Sequence, residues 1–541
     1  MTNLGNRTMP RVLISDSLSE TAVSVMKERG LEVDYRPGLP ADELEKILGD
    51  YDGLAIRSST KVTSGVLEKI KGGRLKVIGR AGIGVDNVDV SAATAAGIVV
   101  MNTPHGNAVT TAEHAITMLL ASSRMIPAAH ISTIAGKWEK SAFVGTEVTG
   151  KKLGLIGCGN IGAIVADRAQ GLKMKVMAYD PFLTEDRAKS LGVEKVELDD
   201  LLAKADYISL HTPLTDDTRN IINADAISRM KKGARLINCA RGGLVDEVAL
   251  RGALETGHLA GAAVDVYAVE PAKENILFDA PNLIATPHLG ASTAEAQEKV
   301  AVQIAEQIAD YLLEGAVLNA LNLPNVTAEE APILMPYMDL GRKLGSFLGQ
   351  VTRSGLTEVA VEFDGQASGL NIEPVMASTL AGLMEPVMAA ANIVNASTLA
   401  QSRGINVAAI RHDRPCDYQT KLRVTLKYKG ADGSEKIRTI AGTLVGMTMP
   451  RIVEVQHIAV ESDFPEHLLY LRNYDKPGFI GDLGTLCGKS NINIATFHLG
   501  RREVGGEAIA LVEIDEAPGD AFMTALRELP QVVRADRLRF A

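Results

Sequence analysis

The sequence predicts an α/β protein in several modules: two consecutive units of alternating strand and helix, then an α+β segment, then a small unit of strand–helix–strand–strand–helix–strand order. Three observations carry this expectation. Short runs rich in Val and Ile alternate with helical stretches from Arg11 to His288. The alternation ends after LNLPNV, where strands and apolar helices mix in another order. At 541 residues, the chain is also too long to fold around one hydrophobic core.

From Arg11 to Thr103 the runs RVLISD, GLAIR, LKVIGRAG and GIVVMN are separated by stretches such as ADELEKIL, the pattern of a parallel sheet with crossover helices. TTAEHAITMLLASSRMIPAA then reads as one long apolar-periodic helix with little to break it before Pro127, bridging to the next unit. GKWEKSAFVGTEVTG follows and carries the only tryptophan, Trp138. Lys152 opens the second series: KLGLIGCGNIG, MKVMAYD, YISLHTP, ARLINCARGG, GAAVDVY and NLIATPH. Each of these runs ends in small or polar residues, where ligands gather at the edge of such a sheet. A helix from about Ser292 to Leu313 would return the chain to the first unit. The expected domains are therefore 1–103 with 289–322, discontinuous, and 104–288. Residues 323–460 form the α+β module, with strands LTEVAVEF and YQTKLRVTLKY and an apolar helix near ASTLAGLMEPVMAAANIVNAS. Residues 467–541 have the ferredoxin-like element order.

Composition narrows the function classes. With 56 Lys plus Arg against 66 Asp plus Glu, the net charge of −10 repels a phosphate backbone over most of the surface, and no nucleic-acid partner is expected. The first residues lack the apolar core of about 7 to 15 residues that a secretory signal needs. No stretch reaches the roughly 18 apolar residues of a membrane span, so the expected location is the cytoplasm, with no membrane partner. The four cysteines Cys158, Cys239, Cys416 and Cys487 are too scattered for a disulfide frame or a zinc site, and no metal is expected.

KLGLIGCGNIG places Gly157, Gly159 and Gly162 after an apolar strand and before a helix, where bare backbone can meet a pyrophosphate at the positive helix end. The next strand delivers Asp180, eighteen residues past Gly162, whose carboxylate can accept bonds from a ribose diol and repel a 2′-phosphate. NAD is the expected cofactor. Cys158, inside the turn, reads as a small filler.

Three later strand ends supply acid–base chemistry and a cation. Arg241 in NCARGG can grip a carboxylate with its planar fork. Glu270 in VDVYAVEP and His288 in ATPHLGAST follow other strands and can converge, the carboxylate orienting the imidazole and raising its pKa. Taken singly, each has a plainer reading as a cap, a turn acid or a solvated arginine. Together, NCARGG, DVYAVEP and PHLGAST resemble the D-2-hydroxyacid dehydrogenase family over residues 10 to 320. The resemblance implies two Rossmann-like or flavodoxin-like α/β domains, one for substrate and one for NAD. It implies His288 as general acid/base, Glu270 as its partner and Arg241 as the substrate carboxylate's ligand. It also implies that Asn160, Ile161, Thr212, Cys239 and Asp265 border the cofactor, with Gly290 and Ala291 following the histidine into its site.

IRSSTKV, GRAGIGVDNVD and MNTPHGNAVTTAEH look like the substrate loops of the members that oxidise 3-phosphoglycerate, the first step of serine synthesis. That likeness implies substrate contacts at Arg57, Ser58, Ala81 and Gly82, with Arg80 and Asn107 as weaker candidates. Trp138 and Lys140 reach a neighbouring subunit's site in some members; a tryptophan buried at a dimer seam is the alternative, and a homodimer or homotetramer is expected. Residues 467–541 resemble ACT domains through NYDKPGFIGDLG and NINIA, which implies an L-serine effector near Asp475, Gly478, Asn491 and Asn493; a helix cap and a turn are the plainer roles for these residues. Residues 323–460 resemble the intervening domain of long-chain bacterial members, where Lys421, Arg423, Lys427, Lys429 and Arg438 form either an anion site or a solvated basic face. Two rivals stay open: an NAD-sensing binding protein on the same fold, and a sister dehydrogenase for an unphosphorylated 2-hydroxy acid.

Overall fold

The computed structural model describes residues 9–540 except 105, 353–354, 413–415 and 431, so residues 1–8 of the expected first domain, on which the signal reading also draws, lie outside it. Five parallel strands form the first sheet: Glu32–Tyr35, Arg11–Ile14, Gly53–Ile56, Val77–Arg80 and Val99–Met101, in that spatial order. The helix Ala294–Glu314 lies across this sheet, its start capped by the Thr293 hydroxyl and its end by Gly315 at φ 72°. Glycine makes this packing possible. A Cβ at Gly79 would stand 2.6 Å from Ile308 Cδ1, and one at Gly53 would stand 3.3 Å from Leu312 Cδ1. The strand VIGR can accept the helix only because one position on its face is bare.

The second sheet has seven parallel strands. The first to form in sequence, Lys152–Ile156, is central, with Lys175–Tyr179 and Glu194–Lys195 on one side. Tyr207–Leu210, Arg235–Asn238, Gly261–Val264 and Leu283–Ala285 extend on the other. The order reverses between Lys152–Ile156 and Tyr207–Leu210, and the crevice at such a switch point is where doubly wound sheets hold ligands. The expected single helix up to Pro127 is instead two. Ala108–Arg124 packs on this sheet through Ala112, Ala115, Met118 and Leu119, Met125 turns left-handed at φ 50°, and Ile126–Ile134 starts afresh with Pro127 in its first turn. No residue of Ile126–Ile134 is buried, and Trp138 beyond it is 88% exposed.

The third sheet joins Asn406–His412, Leu356–Gly365, Thr420–Lys429, Glu435–Val445, Met449–Val455 and Ile458–Ser462, with one parallel pair at the edge and antiparallel pairs elsewhere. Its apolar helix is also shorter than the sequence suggests. Glu373–Met384 ends before Pro386, which has no N–H to continue the ladder, and Ala396–Ser402 is separate. The last sheet orders Ile494–Arg501, Glu507–Ile514, His467–Tyr474 and Val532–Arg539, all antiparallel, the ferredoxin-like arrangement. One of its faces carries Phe479–Lys489 and Asp520–Arg527. The other contributes Tyr470, Leu511 and Phe540 to the same apolar cluster as the third sheet, with Phe347 and Tyr470 rings 5.2 Å apart. Among the described residues, no helix is long and apolar enough to cross a membrane.

Helices Ala331–Val351 and Glu373–Met384 touch backbone to backbone along Gly341, Gly345 and Gly349, where a Cβ would overlap Thr379 or Leu383. Gly345→Val must push these helices apart. We expect it to lower the unfolding free energy of this body by about 1–3 kcal/mol, seen as an earlier urea transition; an unchanged transition contradicts the packing.

Candidate active site

The glycine turn after Lys152–Ile156 uses each glycine for a different reason. Gly157 has φ 93°, and a Cβ there would lie 2.5 Å from His211 O. A Cβ at Gly162 would overlap Gly157 O, so the helix could not sit against the turn. Gly159 has nothing within 4 Å of a built Cβ: its bareness faces open space at the start of Asn160–Gly171. That is the cradle a dinucleotide pyrophosphate requires. Asp180 stands beside it, accepting from Cys158 N–H and Phe182 N–H, each at 2.8 Å. His211 lies behind the turn with its Nε2 2.9 Å from Ser209 Oγ, and burial pushes the imidazole down to about 4, so it stays neutral; Thr212 follows it at the strand end. Ile161, in the first turn of the helix, packs against the apolar cluster beneath it, and burial pushes up the thiols of Cys158 and Cys239. Asn160 opens the helix itself. The residues present therefore fit NAD.

Across the switch point three strand ends meet. His288 Nδ1 donates to Glu270 Oε2 at 2.7 Å, and Glu270 Oε1 accepts from Tyr267 N–H at 3.0 Å. The Glu270 bond raises the imidazole above its ordinary range against the opposing effects of burial and Arg241. Burial pushes Glu270 up, but the His288 bond and the Tyr267 N–H outweigh it and keep the carboxylate charged. His288 itself is left-handed, at φ 56°. Asp265, fully buried, holds that turn: Oδ1 accepts from Thr286 Oγ1 at 2.6 Å and Leu289 N–H at 2.7 Å, and Oδ2 from Gly290 N–H at 2.8 Å. Gly290 is so close that a Cβ would stand 3.3 Å from Oδ2, and Ala291 leads on toward the returning helix.

Arg241 reaches the first sheet, where its Nε donates to Asp86 Oδ2 at 3.0 Å and its guanidinium covers bare Gly84. Arg80, at the end of Val77–Arg80, is half-buried with a buried, partnerless Nε, and burial together with Arg241 and Arg57 lowers it to about 10. Gly82 at φ 145° makes room for this guanidinium. The Arg57 loop is tied down by buried Asp16, which accepts N–H bonds from Arg57, Ser59 and Thr60 at 2.6, 3.2 and 3.0 Å, while Ser58 stays exposed. Ala81 N–H is committed to Ile56 O at 2.8 Å and Gly82 N–H to Thr103 Oγ1 at 2.7 Å. The backbone N–H groups of Ala81 and Gly82 are thus engaged within the chain, while the Arg80 Nε, a weaker candidate in the sequence, has no partner. Its position at a strand end was the available signal. Asn107 is buried with a partnerless Oδ1.

The four effector candidates do not meet within one chain. Asp475 is held by Arg501 Nη1 at 2.6 Å and Gly505 N–H at 3.2 Å, and Arg501 keeps it below the usual carboxylate range. Gly478, at φ 101°, caps the following helix beside it. Asn491 is left-handed at φ 53°, and Asn493 donates to Asp515 Oδ2 at 2.7 Å, past the other end of Glu507–Ile514. On the third sheet, Arg423 and Lys427 are paired with Glu454 and Glu358, Arg438 stacks on Tyr428, and Lys429 and Lys421 lie on the same strand.

The sequence pattern of the D-isomer specific 2-hydroxyacid dehydrogenase NAD binding domain matches residues 116–290. That of the D-3-phosphoglycerate dehydrogenase intervening domain matches 333–456, and that of the ACT domain 467–531. A D-3-phosphoglycerate dehydrogenase of Synechocystis sp. is 41% identical over 524 residues, 96% of this chain and 93% of its own. One of Bacillus subtilis is 39% identical over 97% of this chain and 98% of its own. Among solved structures, the TT0316 protein from Thermus thermophilus aligns with TM-score 0.53 and 36% identity over 57% of this chain and 99% of its own. A glyoxylate reductase from Paecilomyes thermophila aligns with TM-score 0.54 and 28% identity over 58% and 98%. The chain therefore belongs to the D-3-phosphoglycerate dehydrogenase family, NAD-dependent enzymes within the D-isomer-specific 2-hydroxyacid dehydrogenases.

Proposed function

We propose that this chain oxidises 3-phosphoglycerate to 3-phosphohydroxypyruvate, the first step of L-serine synthesis, in the cytoplasm and as a homodimer or homotetramer. The observation that carries the reading is the meeting of a Glu270-held imidazole with guanidiniums from both α/β halves, Arg241 from one and Arg80 and Arg57 from the other. A plain 2-hydroxy acid needs one cation for its carboxylate; a phosphorylated one needs a second. The relatives' shared name supports the same substrate.

In this reading the substrate carboxylate displaces Asp86 from Arg241, and the phosphate takes up the partnerless Arg80 Nε together with Arg57. With Nδ1–H committed to Glu270, His288 presents Nε2 as acceptor for the C2 hydroxyl proton. The imidazolium that forms stays paired with the Glu270 carboxylate. The glycine turn 157–162 and Asp180 would hold NAD, which would supply the hydride acceptor for C2. The chain's own contribution is positioning and electrostatics, in a cleft where charges are poorly screened.

L-serine as effector would need two chains. Asp475 and Asn493 are separated by the eight-residue strand Glu507–Ile514, roughly 25 Å at strand rise. Ile494–Arg501 is the outer strand of its sheet, and antiparallel pairing with a second copy would set Asn493 of one chain against the Asp475–Arg501 end of the other. The exposed arm carrying Ile131, Ile134 and Trp138 supports a further contact between copies.

Three measurements test this. NADH formation should be far faster with 3-phosphoglycerate than with glycerate, and Arg80→Met should cost the phosphorylated substrate about 10- to 100-fold in kcat/KM while sparing glycerate; equal losses contradict a phosphate role. The oxidation rate should rise with pH as His288 loses its proton, through a midpoint above about 6.5. Glu270→Gln removes the group that raises it, so the midpoint should fall, and an unmoved limb contradicts the pairing. L-serine should lower activity in the wild type and not in Asn493→Ala; a flat wild-type response at millimolar serine contradicts the effector reading.

A further inference from the structure

One half-buried ionisable group lies outside the acid–base pair but touches what holds it. His114, on the helix Ala108–Arg124, places Nε2 3.3 Å from Asp265 Oδ1, with its side chain 17% exposed. The ligating atoms of His114, Cys239 and Asp265 lie within 4.8 Å of one another, which resembles a cation site. The chemistry argues otherwise. Both Asp265 oxygens already accept from Thr286, Leu289 and Gly290, and burial keeps the Cys239 thiol protonated.

We infer that His114 is a positioning residue for the acid–base histidine, acting through the Asp265 carboxylate and the 286–290 turn. This rests on the reading of His288 as acid/base. The chain of contacts is short. His288 occupies the left-handed region, which a non-glycine residue holds only when its surroundings over-determine it. What over-determines it is Asp265, which takes the two N–H groups immediately after the imidazole and the Thr286 hydroxyl just before it. A carboxylate can do this only in one rotamer. His114 Nε2 also stands against Oδ1, so the imidazole blocks movement of the Asp265 carboxylate toward the helix. Because Ala108–Arg124 begins directly after Asn107, the same contact ties the acid–base turn to the helix between the two α/β halves. The groups facing His288 are Glu270, Asp265 and Arg241; His114 reaches it only through Asp265.

The test compares His114→Ala, His114→Gln and wild type as full-length holoenzymes, with 3-phosphoglycerate or whichever 2-hydroxy acid the wild type oxidises. A wrong substrate and a wrong role for His114 are then separate results. His114→Ala should lower kcat about tenfold or more, because a displaced acid–base group costs rate before it costs binding. KM for substrate and the NADH dissociation constant should stay within about threefold. The pH at the midpoint of the oxidation limb should fall as the His288–Glu270 bond loosens. His114→Gln, whose amide can occupy the same space and donate to Asp265, should restore both kcat and the limb. An unmoved limb in His114→Ala, or a Gln variant no better than Ala, overturns the inference, since a merely structural histidine would shift thermal stability and leave the limb in place.

Discussion

The site depends on one hydrogen bond, from His288 Nδ1 to Glu270 Oε2 at 2.7 Å, and on the left-handed turn that lets it form. The bond chooses the tautomer, leaving Nε2 as the acceptor, and holds the imidazole basic in a partly buried cleft. Neither residue could do this from a relaxed loop. Glu270 is anchored by Tyr267 N–H, and the 286–290 segment by the buried carboxylate of Asp265. Two loops at the ends of neighbouring parallel strands are thereby locked to one another, so the acid–base pair inherits the rigidity of the sheet beneath it.

Close approach enabled by glycine recurs at each level of the molecule. Gly157 and Gly162 bring a helix start against a strand end, Gly79 admits the returning helix onto the first sheet, and Gly82 and Gly84 leave room for the Arg80 and Arg241 guanidiniums. The last pair matters for chemistry. Two cations are drawn over bare backbone with Asp86 as their nearby counter-charge, a costly arrangement unless an anion completes it. The third and fourth sheets, by contrast, are welded by one apolar cluster, which makes the tail a single body attached to the catalytic halves.

Much of this was legible in the residues. The glycine turn with Asp180, and the strand ends bearing Arg241, Glu270 and His288, carry their signal locally, because period, turn chemistry and spacing are local properties. What escaped depends on tertiary contact. Nothing in GAAVDVY distinguishes Asp265 as the clamp of a turn twenty residues away, and nothing in GRAGIG says that Arg80 folds back over Gly82. The helix expected to run to Pro127 breaks two residues early at Met125, whose left-handed backbone no propensity scale favours. Asp475 and Asn493, which flank the helix Phe479–Lys489, lie at opposite ends of the strand Glu507–Ile514, a separation visible only once the sheet order is known.

The most direct test of the central claim is single-turnover oxidation by His288→Asn, with NADH binding measured on the same sample. If the imidazole is the proton acceptor, NADH should bind as in the wild type while the oxidation step slows by about 10² to 10⁴. An Asn variant that oxidises substrate at the wild-type rate would contradict the account.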